Sequence, residues 1–223
     1  ATLADVTAEC EVASITAPTA TDNCGATITG TTTDPLSYNT QVTHVINWSF
    51  DDGNGNISTQ TQNVIIDDIT APVADVATLA DVTAECEVAS ITAPTATDNC
   101  GATITGTTTD PLSYNTQGTH VITWSFDDGN GNITTETQNV IINDVTAPVA
   151  DVATLADVTA ECEVASITAP TATDNCGGVI TGTTDATFPI TSQGTTVVTW
   201  TYDDGNGNTS TQTQNVVIND VTA

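Results

Sequence analysis

The sequence predicts an all-β protein built from small β-sandwiches in tandem, and three observations carry that prediction. First, Ala1-Thr2-Leu3-Ala4-Asp5 returns at Ala77 and, after an equal interval, at Ala153, which divides the 223-residue chain into three copies. Copies one and two differ at six positions (Val42/Gly118, Asn47/Thr123, Ser58/Thr134, Gln60/Glu136, Asp67/Asn143, Ile69/Val145), and copy three diverges mainly between Gly178 and Thr201. Self-similarity at a fixed period marks a tandem array. Second, Thr, Val and Ile dominate and no stretch of useful length has helical periodicity, which favours strands. Third, Ile46, Trp48 and Phe50 alternate on one strand face, and the pattern survives in copy three as Val198, Trp200 and Tyr202. One Trp per copy with aliphatic neighbours makes a small sandwich core.

Taken in order, Val6-Thr7-Ala8-Glu9 reads as a short strand and Ser14-Ile15-Thr16 as another, ended by Pro18. Ala26 to Thr33 alternates Ile28 with threonines before Asp34-Pro35 turns the chain, and Leu36-Ser37-Tyr38 reads as an edge segment. The clearest pair comes last. Thr43 to Phe50 and Ser58 to Ile66 are joined by Asp51-Asp52-Gly53-Asn54-Gly55-Asn56, whose Asn-Gly pair is a hairpin signal. The acidic segment Asp67-Asp68-Ile69-Thr70-Ala71-Pro72-Val73-Ala74-Asp75 then leads into the next copy. Expected boundaries are residues 1–70, 77–146 and 153–223 for the three domains, with linkers at 71–76 and 147–152. Pro72 and Pro148 restrict φ in those linkers. The chain starts in phase with the repeat and copy three breaks off at Ala223, where the earlier copies continue Pro-Val-Ala-Asp-Val, so it is expected to be a window of a longer array.

Charge bounds the partners. There are 28 acidic side chains and no Lys or Arg, whereas an ordinary domain carries about 25% charged residues of both signs. Nucleic acid and anionic membranes are bound by cationic residues, so both are poor partners, and neither nucleic-acid binding nor direct membrane insertion is expected. Like charges this dense repel one another unless small cations neutralise them; keeping a crowded surface protein soluble is the blander role. No signal peptide, apolar spanning run or sorting tail is visible, and in a window this says nothing against secretion.

The six cysteines fall in pairs of identical spacing, Cys10/Cys24, Cys86/Cys100 and Cys162/Cys176. An even count per copy fits disulfides and an oxidising, extracellular setting, and two thiols without a nearby His make an incomplete zinc site. Pairing within each copy is the expectation, worth roughly 3 kcal/mol for so short a loop. Links between adjacent copies remain open.

Calcium is the leading cofactor, because it takes about 6 to 8 oxygen ligands and the run Asp52, Asn54, Asn56 offers several in one loop. Magnesium suits the run less well, since it wants rigid octahedral geometry and keeps its waters. The run lacks the Gly and Glu of a true EF-hand loop. As a turn alone, its Asn and Gly would serve only to supply positive φ. Glu9 and Glu11, beside Cys10, read more readily as solvated strand-end residues than as ligands. Asn56, Asn132 and Asn208 begin Asn-x-Ser/Thr sequons at one register, and Asn47 begins an extra one in copy one, so all four are candidate glycosylation sites. No catalytic residues are assigned. His44 and His120 share a register that is Thr196 in copy three, and there is no nucleophile elbow, phosphate loop or metal-binding His pair.

The segments Ala17-Pro18-Thr19-Ala20-Thr21-Asp22-Asn23-Cys24, Trp48-x-Phe50-Asp51-Asp52-Gly53-Asn54-Gly55-Asn56 and Val64-Ile65-Ile66-Asp67-Asp68-x-x-Ala71-Pro72 resemble hyalin-repeat immunoglobulin-like domains. They resemble more closely the Ig-like repeats of giant secreted bacterial surface proteins and adhesins of the Bacteroidetes type. The resemblance covers all three copies and implies an extracellular, non-catalytic module with a fibronectin-like sandwich. It also implies that the loop after the second strand and the last hairpin lie at the pole where the chain enters a domain. In copy two these are Asp98-Asn99 and Asp127 to Asn132 (Asp127, Asp128, Asn130, Asn132), met by Asp67, Asp68 and Asp75 of the incoming segment. The matching candidate metal ligands are Asp22, Asn23, Asp51, Asp52, Asn54 and Asn56 in copy one. In copy three they are Asp174, Asn175, Asp203, Asp204, Asn206 and Asn208, met by Asp144 and Asp151.

The function expected from these readings is mechanical: a calcium-rigidified, disulfide-stapled extracellular stalk or fibre segment whose partners are its neighbouring repeats. The alternatives are adhesin repeats that grip glycans or cells, for which no exposed aromatic cluster is evident, and a glycosylated filament assembled laterally.

Overall fold

The computed structural model describes residues 2–222, and among them every regular element is a strand. Copy one contributes β1 (Val6–Ala8), β2 (Thr19–Thr21), β3 (Thr27–Thr29), β4 (Thr43–Asp51) and β5 (Ile57–Ile66). β4 and β5 form the hairpin that the Asn-Gly turn predicts, with Phe50 opposite Ser58 and Trp48 opposite Gln60, and β1 joins β5 in parallel, Val6 opposite Val64. β2 and β3 form the opposing layer. The expected strand at Ser14-Ile15-Thr16 does not form; the strand begins after Pro18 instead, where Thr19–Thr21 can pair with β3. Ile15 is nonetheless buried, so its apolar character serves the core without strand pairing. Tyr38, in the expected edge segment, makes a two-bond bridge with Val12.

The segments expected as linkers carry strands. β6 (Val73–Ala74) pairs antiparallel with β8 (Thr95–Thr97), which pairs with β9 (Thr103–Thr105). In the same way β12 (Val149–Ala150) pairs with β14 (Thr171–Asp174), and β14 with β15 (Gly178–Thr181). The residues after each acidic exit therefore form the edge strand of the following copy's smaller sheet. The remaining strands are β7 (Val82–Ala84), β10 (Gly118–Asp127), β11 (Ile133–Ile142), β13 (Val158–Ala160), β16 (Gly194–Asp203) and β17 (Thr209–Ile218), with orders β10-β11-β7 and β13-β17-β16.

Period-2 alternation buries the expected faces. Ile46, Trp48 and Phe50 lie in the first core with Val64, Ile66, Val12 and Ile15, and Val198, Trp200 and Tyr202 lie in the last with Val216 and Ile218. The Trp side chains are 1–2% exposed, and those of Trp48 and Trp200 donate Nε1–H to Gln62 and Gln214 across the hairpin. Each indole thus buries its apolar area while satisfying its polar atom.

The chain gathers into two compact units that do not coincide with the copies. One comprises Ala1–Leu79, Thr92–Asp110 and Thr123–Thr137; the other comprises Ala80–Ile91, Pro111–Ile122 and Gln138–Ala223. Each contains one acidic exit segment together with the sheet that receives it.

Candidate functional site

The Asp-Asp-Gly-Asn-Gly-Asn turns are closed on themselves. Asp52 Oδ1 accepts the backbone N–H groups of Asn54 and Asn56, its Oδ2 accepts the Asn56 amide at 2.7 Å, and Asp51 Oδ1 accepts Gly53 N–H. Gly53 and Gly55 sit at φ of 80° and 93°, where a side chain would be strained. The Asn56 amide foremost, then the Asn54 N–H, lower the Asp52 pKa below the ordinary carboxylate value. Asp127 and Asp128, and Asp203 and Asp204, repeat these bonds. For Asp128 and Asp204 burial opposes the shift, but the amides of Asn132 and Asn208 and the loop N–H groups outweigh it. The most conspicuous carboxylates of the sequence are thus already occupied as turn caps.

A different pair is not. In the first unit Asp68 and Asp98 are 4% and 5% exposed, and a carboxylate oxygen of each lies within 4.8 Å of the other's and of Cys100 Sγ. Asp68 is anchored from both sides. Its N–H donates to Gln41 Oε1, its Oδ1 caps Thr70 N–H, and its Oδ2 faces the Asn130 amide at 3.4 Å. Asn132 donates to the Asp68 carbonyl oxygen at 2.9 Å. Asp98 Oδ2 accepts Cys100 N–H, while Asp98 Oδ1 is buried without any hydrogen-bond partner. Two buried carboxylates this close repel one another, and an orphaned buried oxygen adds a desolvation cost of about 1 to 3 kcal/mol.

The second unit repeats the arrangement. Asp144 and Asp174 are each 4% exposed and sit with Cys176 in the same cluster. Asn206 and Asn208 donate to Asp144 Oδ2 and to its carbonyl oxygen, and Asp174 Oδ1 is again unpartnered. At the corresponding place in copy one, Asp22 is half-buried and its oxygens accept the N–H groups of Asn23 and Cys24.

The cysteine pairing differs from the one expected. Cys10 bonds to Cys100 and Cys86 to Cys176, each across 90 residues, while Cys24 and Cys162 are free and exposed. The first cysteine of one copy therefore joins the second cysteine of the next. The reason is spatial: the exit segment returns along the Cys10 end of β1, where Asp67 N–H bonds to Ala8 O, and carries the entry pole of the following copy to Cys10.

The glutamate before each bridge proves to be a hub. Glu9 Oε2 accepts the Thr70 hydroxyl and the Asn99 amide, and Glu85 Oε2 accepts those of Thr146 and Asn175. The Thr146 hydroxyl first, then Asn175, lower the Glu85 pKa. Asn99 and Asn175 thus spend their amides on glutamates. Gln41 and Gln117 tie the same corner, donating to the carbonyls of Glu9 and Glu85 and accepting from Asp68 and Asp144. The signal for them was the strict return of Gln41 at Gln117 and Gln193, the last inside the divergent part of copy three.

The other candidates lie apart from the paired carboxylates. Asp67 is exposed. Asp75 and Asp151 accept two Thr hydroxyls each, from Thr95 and Thr97 and from Thr171 and Thr173. Of the sequon residues, Asn47 and Asn56 are exposed and Asn132 and Asn208 half-buried, and the side-chain amides of all four donate hydrogen bonds. His44 and His120 bond to Thr40 and Thr116, and His120 stacks on Tyr114 while His44 meets Tyr38 at a tilt. Among the described residues no helix is long and apolar enough to cross a membrane.

The family described as "HYR-like domain with 4 cysteines" matches residues 69–142 and again residues 145–218. The chain belongs to this family. Each HYR-like match begins inside an acidic exit segment, the one whose strand joins the following copy, and holds two cysteines rather than four. Hyalin of Lytechinus variegatus is 36% identical over 231 residues, covering 93% of this chain and 43% of that protein. Hyalin of Strongylocentrotus purpuratus is 35% identical over 229 residues, covering 93% of this chain and 19% of that one. The chain thus spans less than half the length of these relatives. They support the hyalin side of the resemblance and lend none to a bacterial, Bacteroidetes-type origin. Among solved structures, cadherin domains 1-4 of protocadherin gamma B7 align at 8% identity over 93% of this chain and 66% of that one, TM-score 0.30. Mouse cadherin-23 EC22-24 aligns at 12% over 79% and 74%, TM-score 0.28. Both likenesses are too slight to carry an argument. Hyalin-type repeats with disulfides fit an extracellular repeat protein of structural or adhesive kind.

Proposed function

We propose that this HYR-like chain is a segment of an extracellular stalk or fibre in which each copy is tied to the next by one disulfide and one calcium ion. The observation that carries the reading is the pair Asp68 and Asp98, repeated as Asp144 and Asp174, buried together with one oxygen of each pair left unpartnered. Buried charge without a counter-charge is costly, and this chain has no Lys or Arg to supply one. A divalent cation between the carboxylates meets that need. The donors are all oxygen: the two carboxylates and water, while the Asn130 or Asn206 NH2 group donates to Asp68 Oδ2 or Asp144 Oδ2 and steadies it. An incomplete, flexible set of this kind suits calcium better than magnesium. The disulfide sulfur of Cys100 or Cys176 is spent in its bridge and is no ligand.

In this reading the ion count follows the joints rather than the copies, two per three-copy chain. The expected set narrows to Asp68 and Asp98 and their counterparts Asp144 and Asp174, with the Asn130 and Asn206 amides steadying Asp68 and Asp144 and the turn aspartates serving as caps. Cation binding quenches repulsion at each joint and fixes the following copy on the exit segment of the one before. Neighbouring repeats are the partners. Direct adhesion by an aromatic surface is disfavoured, since all three Trp side chains are core residues.

Isothermal calorimetry of the chain is the test. Two calcium ions bound below millimolar concentration, falling to one in Asp98→Asn, support the reading; no binding below millimolar, or an unchanged stoichiometry in that variant, sinks it.

A further inference from the structure

We infer that the cross-copy disulfides are positioning elements of the cation pockets, each setting the affinity of its own pocket. This rests on the calcium reading above. The two carboxylates of a pocket come from different copies and are anchored separately. Asp68 is held to copy one by Gln41 and by its own Thr70 cap; Asp98 is held to the Cys100 turn of copy two by a single bond from Cys100 N–H. The Cys10–Cys100 bond crosses between those anchors, with Cys100 Sγ within 4.8 Å of both carboxylate oxygens. Beside it runs a parallel non-covalent tie, Glu9 to Asn99, from the residues that precede the two cysteines. The second unit has the matching construction in Cys86–Cys176, Asp144, Asp174, whose Oδ2 accepts the N–H groups of Cys176 and Gly177, and the Glu85–Asn175 tie.

Two like charges drift apart unless something holds them, and a ligand that needs both must then draw them together each time it binds. A covalent bond at the pocket wall removes that cost beforehand, which is how pre-organisation raises affinity. Without the bridge the Asp98 turn is kept near Asp68 only by hydrogen bonds and by the short β6–β8 ladder. By linkage the effect is reciprocal: whatever factor the bridge adds to cation affinity, the cation adds to the stability of the bridge against reduction.

The chain carries its own control, because two pockets have two separate bridges. Calcium titration of the double variant Cys10→Ser/Cys100→Ser should turn two equivalent sites into one unchanged site and one weakened at least tenfold. The Cys86→Ser/Cys176→Ser variant should do the same to the other pocket. Persistence of the unchanged site shows that the variant is folded. Two unchanged sites, or equal weakening of both, overturn the inference. If the unaltered chain binds no calcium, the proposed function fails instead, and the two failures are told apart by that first titration. A second readout is the rate at which dithiothreitol opens the bridges. The reagent delivers two electrons and two protons to each S–S bond, leaving two thiols and its own cyclic disulfide. Calcium should slow that opening in the unaltered chain and have no such effect in Asp98→Asn at Cys10–Cys100; equal rates with calcium and with EDTA in the unaltered chain overturn the inference.

Discussion

Cys10 is bonded to Cys100, 90 residues along the chain, and Cys24, the cysteine nearest to it in sequence, is left free. The bridge therefore staples two copies together instead of closing a loop within one. In the chain-entropy account, closing about 100 residues constrains the unfolded state by about 4.7 kcal/mol, against about 3 kcal/mol for a loop of about 15 residues.

The pairing is checked by peptide mapping without reductant, using a protease that cuts at acidic residues because trypsin has no site. Peptides carrying Cys10 should emerge joined to Cys100, and those carrying Cys86 joined to Cys176, with Cys24 and Cys162 alkylated. A Cys10–Cys24 peptide would refute the arrangement.

Calcium should raise the melting temperature at matched ionic strength. At a free concentration about one hundred times the dissociation constant, each site adds about 2.7 kcal/mol. Asp68→Asn should lose one of two such increments while Asp51→Asn, at a self-capped turn, loses neither; a melt indifferent to calcium would leave the buried pairs unexplained.

Glu9→Gln replaces an anionic acceptor of two bonds with a neutral one, and hydrogen bonds to charged groups contribute about 1.5 to 3 kcal/mol at most. A loss of about 1 kcal/mol in denaturant titration is expected for this half-buried site. Glu11→Gln, at an exposed neighbour, serves as the comparison and should change nothing measurable.

The exit strands should loosen in acid. The hydroxyls of Thr95 and then Thr97 hold the Asp75 pKa below its ordinary value of 3.8, and those of Thr171 and Thr173 do the same for Asp151. A depressed carboxylate stabilises the fold above its unfolded value and ceases to do so as pH falls through the folded one. Hydrogen exchange at Val73–Ala74 and Val149–Ala150 should therefore be protected at about pH 5 and, after correction for intrinsic rates, lose protection below about pH 4. Asp75→Asn should abolish that dependence at the first strand only.

Trp200→Ala should cost about 3 to 5 kcal/mol, since the indole is 2% exposed and its Nε1–H is paired with Gln214. Chemical denaturation monitored by far-UV circular dichroism would measure it, and a change under about 1 kcal/mol would contradict the core position.

Much of the fold was legible because it rests on local periodicity. The alternation Ile46, Trp48, Phe50 dictates which face of β4 is buried, and Asn54-Gly55 dictates the turn to β5, from residues within a few positions of one another. The constant interval from Ala1 to Ala77 to Ala153 carried the copy number in the same way. Where residues meet across copies, the sequence was silent or pointed elsewhere. The repeated Asp-Asn-Asn run suggested a ligand loop, yet Asp52 closes its own turn, because backbone N–H groups in the same loop reach it first. Asp68 and Asp98, which belong to different copies, become a pair only once Val73–Ala74 has joined the sheet of the following copy. The same docking brings Cys100 to Cys10 and Asn99 to Glu9. Sequence by itself determined the hairpin strands, the core face and the acidity; tertiary structure decided the partners, because a repeat gives every copy the same residues and only the path of the chain between copies selects which of them meet.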